Sequence, residues 1–268
     1  DATEGKINLY HEDFSLGESL PLPAAKPGEC CDSCGIRPAV RRWPYEDEDR
    51  PLCASCLRKQ LVGQNARESV FAKDYRRFWE ARGEKLSLRT AHEIEDVADG
   101  NNEIAVIYAD GNNFGPLFGR CRSLAKLRQL SQFCENAAYT AVFTALKENE
   151  RLVEGRAVEI IALGGDDIFL LVPAQAALPT AIAIGGHFDR LFENLTDRAA
   201  NPTLSLGVII AGAKTPVRYL FEMAQTVLKE AKKRVYAAKG ALMEGVLDVA
   251  VLSSYAAYED NISAYRQV

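Results

Sequence analysis

Two adjacent aspartates, Asp166 and Asp167, follow a pair of glycines in a short turn between two apolar segments, in EIIALGGDDIFLLVP. A third acid, Asp110, ends an earlier apolar segment, EIAVIYAD. At an effective dielectric constant near 20, two unit charges about 4 Å apart repel by roughly 4 kcal/mol, so neighbouring carboxylates need a cation, protons or solvent. One or two Mg²⁺ or Mn²⁺ ions would relieve this repulsion and accept phosphate oxygens as further ligands. A solvated hairpin turn is the alternative, because Gly and Asp favour turns.

Glycines accompany both acidic positions. Gly164 and Gly165 allow a tight hairpin and a close approach of substrate to the backbone. The loop after Asp110, from Gly111 to Gly115, is rich in Gly and Asn, and such loops expose backbone N–H groups that bind phosphate. This second acidic loop favours a binding site over a simple turn.

Four cysteines form two CxxC pairs, Cys31 with Cys34 and Cys53 with Cys56, separated by eighteen residues. This spacing predicts a structural zinc site, because four thiolates complete the tetrahedral coordination of Zn²⁺ and leave no open catalytic position. Cys30 is an alternative to Cys31 as a ligand. Disulfides are disfavoured in a reducing cytosol.

The zinc element has two candidate roles, to brace a domain or to contact nucleic acid. Arg41, Arg42 and Trp43 lie between the two CxxC pairs and could contact a nucleic-acid backbone. The acidic residues 46–49 follow directly and cancel the local positive field, which favours the structural role.

Strands and helices alternate regularly after residue 103. The pattern predicts strands over 103–110, 157–163, 167–173 and 203–212, and helices over 123–150, 176–195 and 216–238. This βαββαβ order predicts an α+β fold with a ferredoxin-like palm, preceded by the small four-cysteine zinc-binding element. The first and third strands of such a unit are central antiparallel neighbours, so the three aspartates should meet at one rim of the sheet.

The remaining segments suggest the domain boundaries. Residues 1–29 are proline-rich and are predicted to be a linker or the remnant of an upstream domain. Residues 30–102 would hold the zinc knuckle and a helical connector, with one amphipathic helix over 66–83. The palm would occupy 103–268, ending in an edge strand and a terminal helix.

Composition describes a globular protein with a modestly acidic net charge of −5. No overall positive field indicates nucleic-acid binding by charge alone, so any basic groove must be local. No apolar run is long enough to span a membrane and no signal peptide is recognisable, so we expect a cytoplasmic location without membrane contact. The chain begins with Asp, which suggests a trimmed chain or the rear part of a longer one.

The motifs YADGNNFG and LGGDDIFLLVP resemble those of the GGDD palm domain in the large, polymerase-like subunit of type III CRISPR effector complexes. The upstream cysteines and the strand and helix from residue 205 to 233 are similar to that family too, so the likeness covers about residues 30 to 240. GGDEF diguanylate cyclases are more distant relatives and carry Glu where this chain has Asp167. No HD nuclease domain is visible, and the chain is short for a full effector subunit, so we expect a fragment or a compact stand-alone relative.

The resemblance implies a nucleotidyltransferase that joins ATP, or another NTP, into cyclic or linear oligonucleotide messengers for antiviral defence. Asp110, Asp166, Asp167 and the Gly111 carbonyl would hold Mg²⁺ or Mn²⁺, which activates a 3′-hydroxyl and neutralises the triphosphate. Lys232, with Lys229 or Lys233 as helpers, would reach the β- and γ-phosphates. The further residues expected to bind nucleotide are Gly111, Asn112, Asn113, Phe114, Gly115, Gly164 and Gly165, with helix capping as the alternative role for the two asparagines.

Two other functions stay open. A catalytically silent palm would bind nucleotide or RNA within a larger ribonucleoprotein complex, but a binding-only site does not need three converging carboxylates. A polymerase or primase would need a basic template groove, which the acidic composition disfavours. The expected partners are an RNA-guided effector complex or RNA, and a homodimer if cyclisation requires two facing sites.

Overall fold

The computed structural model describes residues 23–45, 48–91, 93–153, 155–193, 202–237 and 244–252. These residues divide into two compact units, one up to Phe71 and one from Ala72 onwards. Within the described ranges, no helix combines the length and the apolar character that crossing a bilayer would require.

The first unit is built around a short hairpin. Strands β1 (Arg41–Tyr45) and β2 (Glu48–Leu52) pair antiparallel, and helix α1 (Ala54–Ser69) follows. Its core is small and is made largely of cysteines, with Leu52 and Leu57 buried beside them. So few apolar side chains give little hydrophobic stabilisation, and a unit of this kind is usually held by a metal or by disulfides.

The second unit contains a five-stranded sheet and most of the helices. The strands are β3 (Glu103–Asn112), β4 (Glu159–Gly164), β5 (Asp167–Pro173), β6 (Thr203–Gly212) and β7 (Leu247–Leu252). The helices are α2 (Phe71–Glu80), α3 (Phe114–Gly119), α4 (Leu124–Glu148), α5 (Glu150–Val153), α6 (Ala177–Phe192) and α7 (Val217–Ala237).

The sheet has the strand order β4-β5-β3-β6-β7. Strand β3 is central and pairs antiparallel with both β5 and β6, while β7 pairs parallel with β6 at the edge. Strands β3, β4, β5 and β6, together with α4 and α6, form the predicted βαββαβ unit, so the α+β, ferredoxin-like fold is confirmed. Strand β7 is the predicted edge strand.

Helices cover both faces of the sheet. Helix α7 packs on the face that contains Val106, Phe169 and Ile209. Helices α4 and α6 pack against each other on the opposite face. Because both faces are covered, strand β3 is buried or half-buried along its length, and its residues 104–109 form a continuous apolar run rather than an alternating one.

Two local features fix these helices. Ser123 caps α4 by accepting a hydrogen bond from the Lys126 backbone N–H at 3.3 Å, which satisfies one of the free donors of the first turn. Gly207 lies where α7 crosses β6, and a Cβ there would stand 2.5 Å from the Ala224 carbonyl oxygen. Only glycine allows this separation between helix and strand.

The prediction of one helix over 66–83 is wrong. Helix α1 ends at Ser69, and α2 begins at Phe71. The chain turns between them because α2 directs its aromatic side chains to the core of the second unit, where Tyr75 and Phe78 both meet the ring of Phe143 edge-on. The predicted terminal helix lies outside the described residues, as does the predicted linker up to residue 22.

Candidate active site and cysteine cluster

The strand register brings the acidic segments to one rim of the sheet. Ala109 of β3 pairs with Ile168 of β5, so the next positions along the two strands are Asp110 and Asp167. Both aspartates continue the face that α7 covers, because strand residues alternate between faces and Tyr108 and Phe169 belong to that face. The geometry expected from the βαββαβ order is therefore present in the backbone.

A two-residue hairpin turn presents Asp166. Gly164 pairs with Asp167, which leaves Gly165 and Asp166 as the central turn residues. Gly165 has φ +64°, the left-handed conformation that a type II′ turn needs at its first central position. The Gly-Gly-Asp-Asp sequence thus forms the tight hairpin that was predicted.

Gly111 allows the first acidic loop to lie against this hairpin. A Cβ on Gly111 would stand 2.3 Å from the Phe114 ring and 2.7 Å from the Cβ of Asp166. Neither distance is tolerable for real carbon atoms, so any other residue at position 111 would push the two acidic segments apart.

Lys232 reaches the rim from α7. Its ammonium group forms a short ion pair with the Asp110 carboxylate and donates a hydrogen bond to the Gly111 carbonyl oxygen at 3.0 Å. The lysine side chain is only 19% exposed. Two of the oxygen atoms expected to bind a metal therefore converge on a positive charge in this structure.

The two hairpin carboxylates have raised pKa values. For Asp166, burial is the main cause, and the charge of Asp110 adds to it while the Lys232 ammonium opposes it. For Asp167, burial again comes first, followed by repulsion from Asp110 and Asp166. Both hairpin carboxylates therefore lie within the field of Asp110, and an added cation would relieve this repulsion.

The three aspartates do not form a closed set of ligands. Among the described residues, only the four cysteines bring three or more candidate ligand atoms within 4.8 Å of one another. The aspartate oxygens are more widely spread. Such a set fits Mg²⁺ or Mn²⁺, which take one or two carboxylates and complete their shells with water and phosphate oxygens.

The residues after Gly111 have mainly structural contacts. The Asn112 amide is fully buried and donates to the hydroxyl groups of Thr203 at 3.0 Å and Ser205 at 2.9 Å. Asn113 precedes α3 with φ +64° and makes no side-chain capping bond to it. Phe114 is buried among aromatic rings, including those of Phe188 and Phe192, while Gly115 is exposed.

These contacts separate the predicted nucleotide-binding residues into two groups. The side chains of Asn112 and Phe114 hold the loop in place and do not offer their surfaces to a ligand. For the glycines at positions 111, 115, 164 and 165, nucleotide binding through the backbone stays a prediction.

Sequence reasoning missed Tyr108 and Gln225. The Tyr108 hydroxyl forms a hydrogen bond with the Gln225 side chain, and the pKa of Tyr108 is raised by burial first and then by the charges of Asp167, Asp110 and Asp166. Alternation along β3 could have found Tyr108, because it lies two positions before Asp110 on the same face. Nothing in the sequence pointed to its partner on α7.

The first unit contains the predicted cysteine cluster. The sulfur atoms of Cys31, Cys34, Cys53 and Cys56 all lie within 4.8 Å of one another, and those of Cys34 and Cys53 are 4.0 Å apart. A tetrahedral zinc site with Zn–S bonds of about 2.3 Å places its sulfurs about 3.8 Å apart. The cluster therefore fits a zinc knuckle, and Cys30 is exposed and outside it.

Backbone amides favour the thiolate form at two of the four cysteines, Cys31 and Cys34, whereas at Cys56 the opposing Ser33 hydrogen bond is outweighed by Cys53, burial and the other two cysteines, which raise the pKa to about 11. Burial on its own would raise the pKa of Cys31, but hydrogen bonds from the backbone of Cys53, Cys34 and Ser33 outweigh it and lower the pKa to about 6. The pKa of Cys34 is lowered by the backbone N–H groups of Ile36 and Arg37. Thiolates are the form that binds zinc.

Arg42, one of the candidate nucleic-acid contacts, forms its interactions with other residues of the first unit. Its guanidinium group pairs with Glu29 and donates to the Asp49 carbonyl oxygen at 2.8 Å. Arg41 donates to the carbonyl oxygen of the preceding residue at 2.9 Å. Arg42 therefore ties the hairpin to the segment before the first cysteine, which agrees with a bracing role.

The fold and the acidic rim together define a palm domain. The family model for the Cas10/Cmr2 second palm domain matches residues 103–242, just over half of the chain. The chain belongs to the Cas10/Cmr2 family through this second palm domain.

Solved structures of Csm1 show limited similarity to this chain. The Csm1–Csm4 cassette in complex with cA4 is 17% identical, with a TM-score of 0.42, over 57% of this chain and 22% of that chain. Csm1 from T. onnurineus is 17% identical, with a TM-score of 0.43, over 55% of this chain and 23% of that chain. This chain thus spans less than a quarter of the length of either protein, and a comparison with curated proteins finds no match.

Proposed function

We propose that this chain is the catalytic palm of a metal-dependent nucleotidyltransferase that joins ATP molecules into cyclic or linear oligonucleotides. Membership of the Cas10/Cmr2 palm family supports the reaction class. The observation that carries the proposal is the convergence of Asp110 and the Asp166–Asp167 hairpin on one rim, with the Lys232 ammonium between α7 and β3. The setting would be an RNA-guided defence complex in the cytoplasm.

The reaction forms a bond between the 3′-oxygen of one nucleotide and the α-phosphorus of another, and it breaks the bond to the departing pyrophosphate. Divalent ions, held at the rim by these three carboxylates, would supply positive charge to the triphosphate and would lower the pKa of the attacking hydroxyl. Asp110 and Asp167 hold that charge from the two strand ends. Asp166 adds its carboxylate from the turn.

Lys232 and the glycines position the substrate. Lys232 can leave Asp110 once another cation neutralises that carboxylate, and its ammonium then donates to the β- and γ-phosphates. Gly164 and Gly165 have open space where a Cβ would lie, so the triphosphate can approach the hairpin backbone closely. In-line transfer then depends on positioning and charge more than on any general base in the chain.

Product analysis tests this proposal. The chain is incubated with each of the four NTPs and with Mg²⁺ or Mn²⁺, and the products are identified by mass spectrometry. We expect oligoadenylate and pyrophosphate from ATP, and neither from the Asp166→Ala, Asp167→Ala double variant. Equal product formation by that variant would exclude the proposed site. Nucleotide binding without turnover in the wild-type chain would instead support the silent binding module.

We propose that the cysteine cluster binds zinc and that this zinc has a structural role only. Four thiolates leave no coordination position for substrate. The cluster would order the first unit, whose apolar core is small.

A further inference from the structure

A cleft with a volume of about 410 Å³ lies at the opposite end of β4 from the acidic hairpin. Its walls come from the segment after α2, from the end of α4 with α5, and from the residues just before β4. Strand β4 has six residues, which at about 3.3 Å each separates the cleft from the hairpin by roughly 20 Å. The cleft therefore cannot belong to the active site described above.

Three arginines line this cleft, Arg89, Arg151 and Arg156, with one acid, Glu150. Counted over the lining residues that the structure describes, these charges leave an excess of two positive charges, in a chain whose net charge is −5. Within the described residues, the guanidinium groups of Arg151 and Arg156 form no hydrogen bond or ion pair. Their donors remain available to an anion, and the planar guanidinium group suits phosphate oxygens.

The third arginine is held in place. Arg89 donates to the Gly155 carbonyl oxygen at 2.7 Å and lies 3.5 Å from an Asp96 carboxylate oxygen. Backbone hydrogen bonds from Val158 to Arg89 and from Ala157 to Asp96 join the same two segments. The walls of the cleft are therefore preformed, which reduces the entropy lost when a ligand binds.

The rest of the lining is largely apolar. Leu88 and Val153 are half-buried and contribute accessible aliphatic surface, whereas Leu146, Val158 and Tyr75 are almost fully buried. Sites for small organic molecules combine such a wall with a few convergent polar groups, at volumes of about 300 to 1,000 Å³. An inorganic anion alone would leave this wall without contact, and a nucleic-acid duplex would not fit.

We propose that this cleft is a second ligand site, which binds a small organic phosphate with its phosphate on the arginines and its apolar body against the aliphatic wall. A nucleoside monophosphate has the required chemistry. Because the cleft is remote from the acidic rim and its described lining residues form no metal-binding set, the proposed binding requires neither a divalent ion nor Lys232. The proposal stands whether or not the palm turns over ATP.

Calorimetric titration with AMP in the presence of EDTA tests the proposal. We expect AMP to bind the wild-type chain, and the Arg151→Ala, Arg156→Ala double variant to lose at least about tenfold in affinity, since each charge-assisted contact to phosphate contributes about that factor or more. Adenosine, which lacks the phosphate, should bind at least about tenfold more weakly than AMP. Inorganic phosphate should also bind more weakly, because it cannot contact the apolar wall.

Two further variants identify the site. Lys59→Ala with Arg218→Ala removes two exposed cations elsewhere and should leave AMP binding unchanged. Lys232→Ala should leave it unchanged as well.

Circular dichroism melting shows whether each variant folds, and Arg151→Gln with Arg156→Gln repeats the test without shortening the side chains as far. AMP affinity that is lost in the Lys232 variant but kept in both arginine variants would overturn the proposal, as would the absence of AMP binding to the wild-type chain.

Discussion

At the residue scale, Asp110 is the centre of the acidic rim. Its carboxylate is paired with Lys232 and also raises the pKa of both hairpin aspartates, after burial. One cation and three carboxylates leave the rim with an excess of negative charge. Under the proposed function, we expect a divalent cation to replace the lysine at Asp110 and the lysine to contact the substrate phosphates.

Substitution of Lys232 is the first prediction. Lys232→Ala removes both the ion pair to Asp110 and the proposed phosphate contact. We expect the rate of oligonucleotide synthesis from ATP to fall roughly 100-fold, because removing one hydrogen-bond donor to a transition state typically has an effect of that size. Lys232→Arg should recover part of the rate because it keeps the charge. Initial rates from pyrophosphate release measure both effects.

Lys233→Ala is the matched control for this prediction. Lys233 is adjacent on α7 but is exposed and pairs with Glu230. It should keep nearly the wild-type rate. If Lys232→Ala and Lys233→Ala have the same rate as the wild-type chain, the lysine has no role in the reaction.

At the residue scale, the sequence predicted which side chains meet at the rim but not the orientation of every one. The three aspartates and Lys232 could be chosen from motif and spacing, because strand order determines where strand ends meet. The buried amide of Asn112 could not be anticipated, because its partners Thr203 and Ser205 lie about ninety residues away and become neighbours only through the pairing of β3 with β6.

At the element scale, one half-buried carboxylate connects three elements of the second unit. Asp189 of α6 accepts hydrogen bonds from the backbone N–H groups of Leu204 in β6 at 3.0 Å and of Gly245, just before β7, at 2.6 Å. Gly245 must be glycine, because a Cβ there would lie 1.8 Å from the Leu204 carbonyl oxygen. This contact fixes the edge strand to the rest of the sheet.

The pH dependence of stability provides the second prediction. Burial raises the pKa of Asp189 from 3.8 to about 6, although the two backbone N–H groups oppose the shift. Between about pH 4 and pH 6 the folded state therefore holds a proton that the unfolded state has lost, and the free energy of unfolding decreases as pH rises through this window. The decrease is at most about 3 kcal/mol and is complete above about pH 6.

Urea unfolding of the wild-type chain and of Asp189→Asn across pH 4.5 to 7 measures this contribution. The variant cannot titrate, and its amide group can accept only one of the two hydrogen bonds. We expect the stability advantage of the wild-type chain to shrink by about 2 kcal/mol over this pH range. A difference between the two proteins that does not change with pH would show that Asp189 titrates normally.

Elements were predictable where the apolar pattern was long and regular. The strands Asp167–Pro173 and Thr203–Gly212 match the predicted ranges. The break between α1 and α2 was not predicted, because no Gly or Pro marks it and the local sequence favours a continuous helix. Tertiary packing determines that break, since α2 belongs to the core of the second unit.

At the scale of the whole molecule, the described residues form two units with different sources of stability. The second unit has an extensive apolar core on both faces of its sheet. The first unit has a small core in which cysteines predominate. We therefore expect metal binding to stabilise the first unit chiefly.

Zinc content is the third prediction. The purified chain should contain about one zinc ion per molecule by elemental mass spectrometry, because the cluster provides one set of four thiolates. Cys53→Ser should reduce the zinc content towards zero and increase proteolytic cleavage between residues 23 and 71. Cys30→Ser is the control, since Cys30 lies outside the cluster, and it should keep its zinc. Full zinc content in Cys53→Ser would contradict the assignment.

Metal binding at the acidic rim is the central claim, and Mn²⁺ titration followed by electron paramagnetic resonance tests it most directly. In the presence of an ATP analogue that cannot react, the wild-type chain should bind Mn²⁺, and Asp110→Asn should weaken that binding at least about tenfold, because one carboxylate ligand is lost. Glu222→Gln, an exposed substitution on α7, is the control and should match the wild-type chain. Equal Mn²⁺ affinity in the wild-type and Asp110→Asn chains would contradict the account.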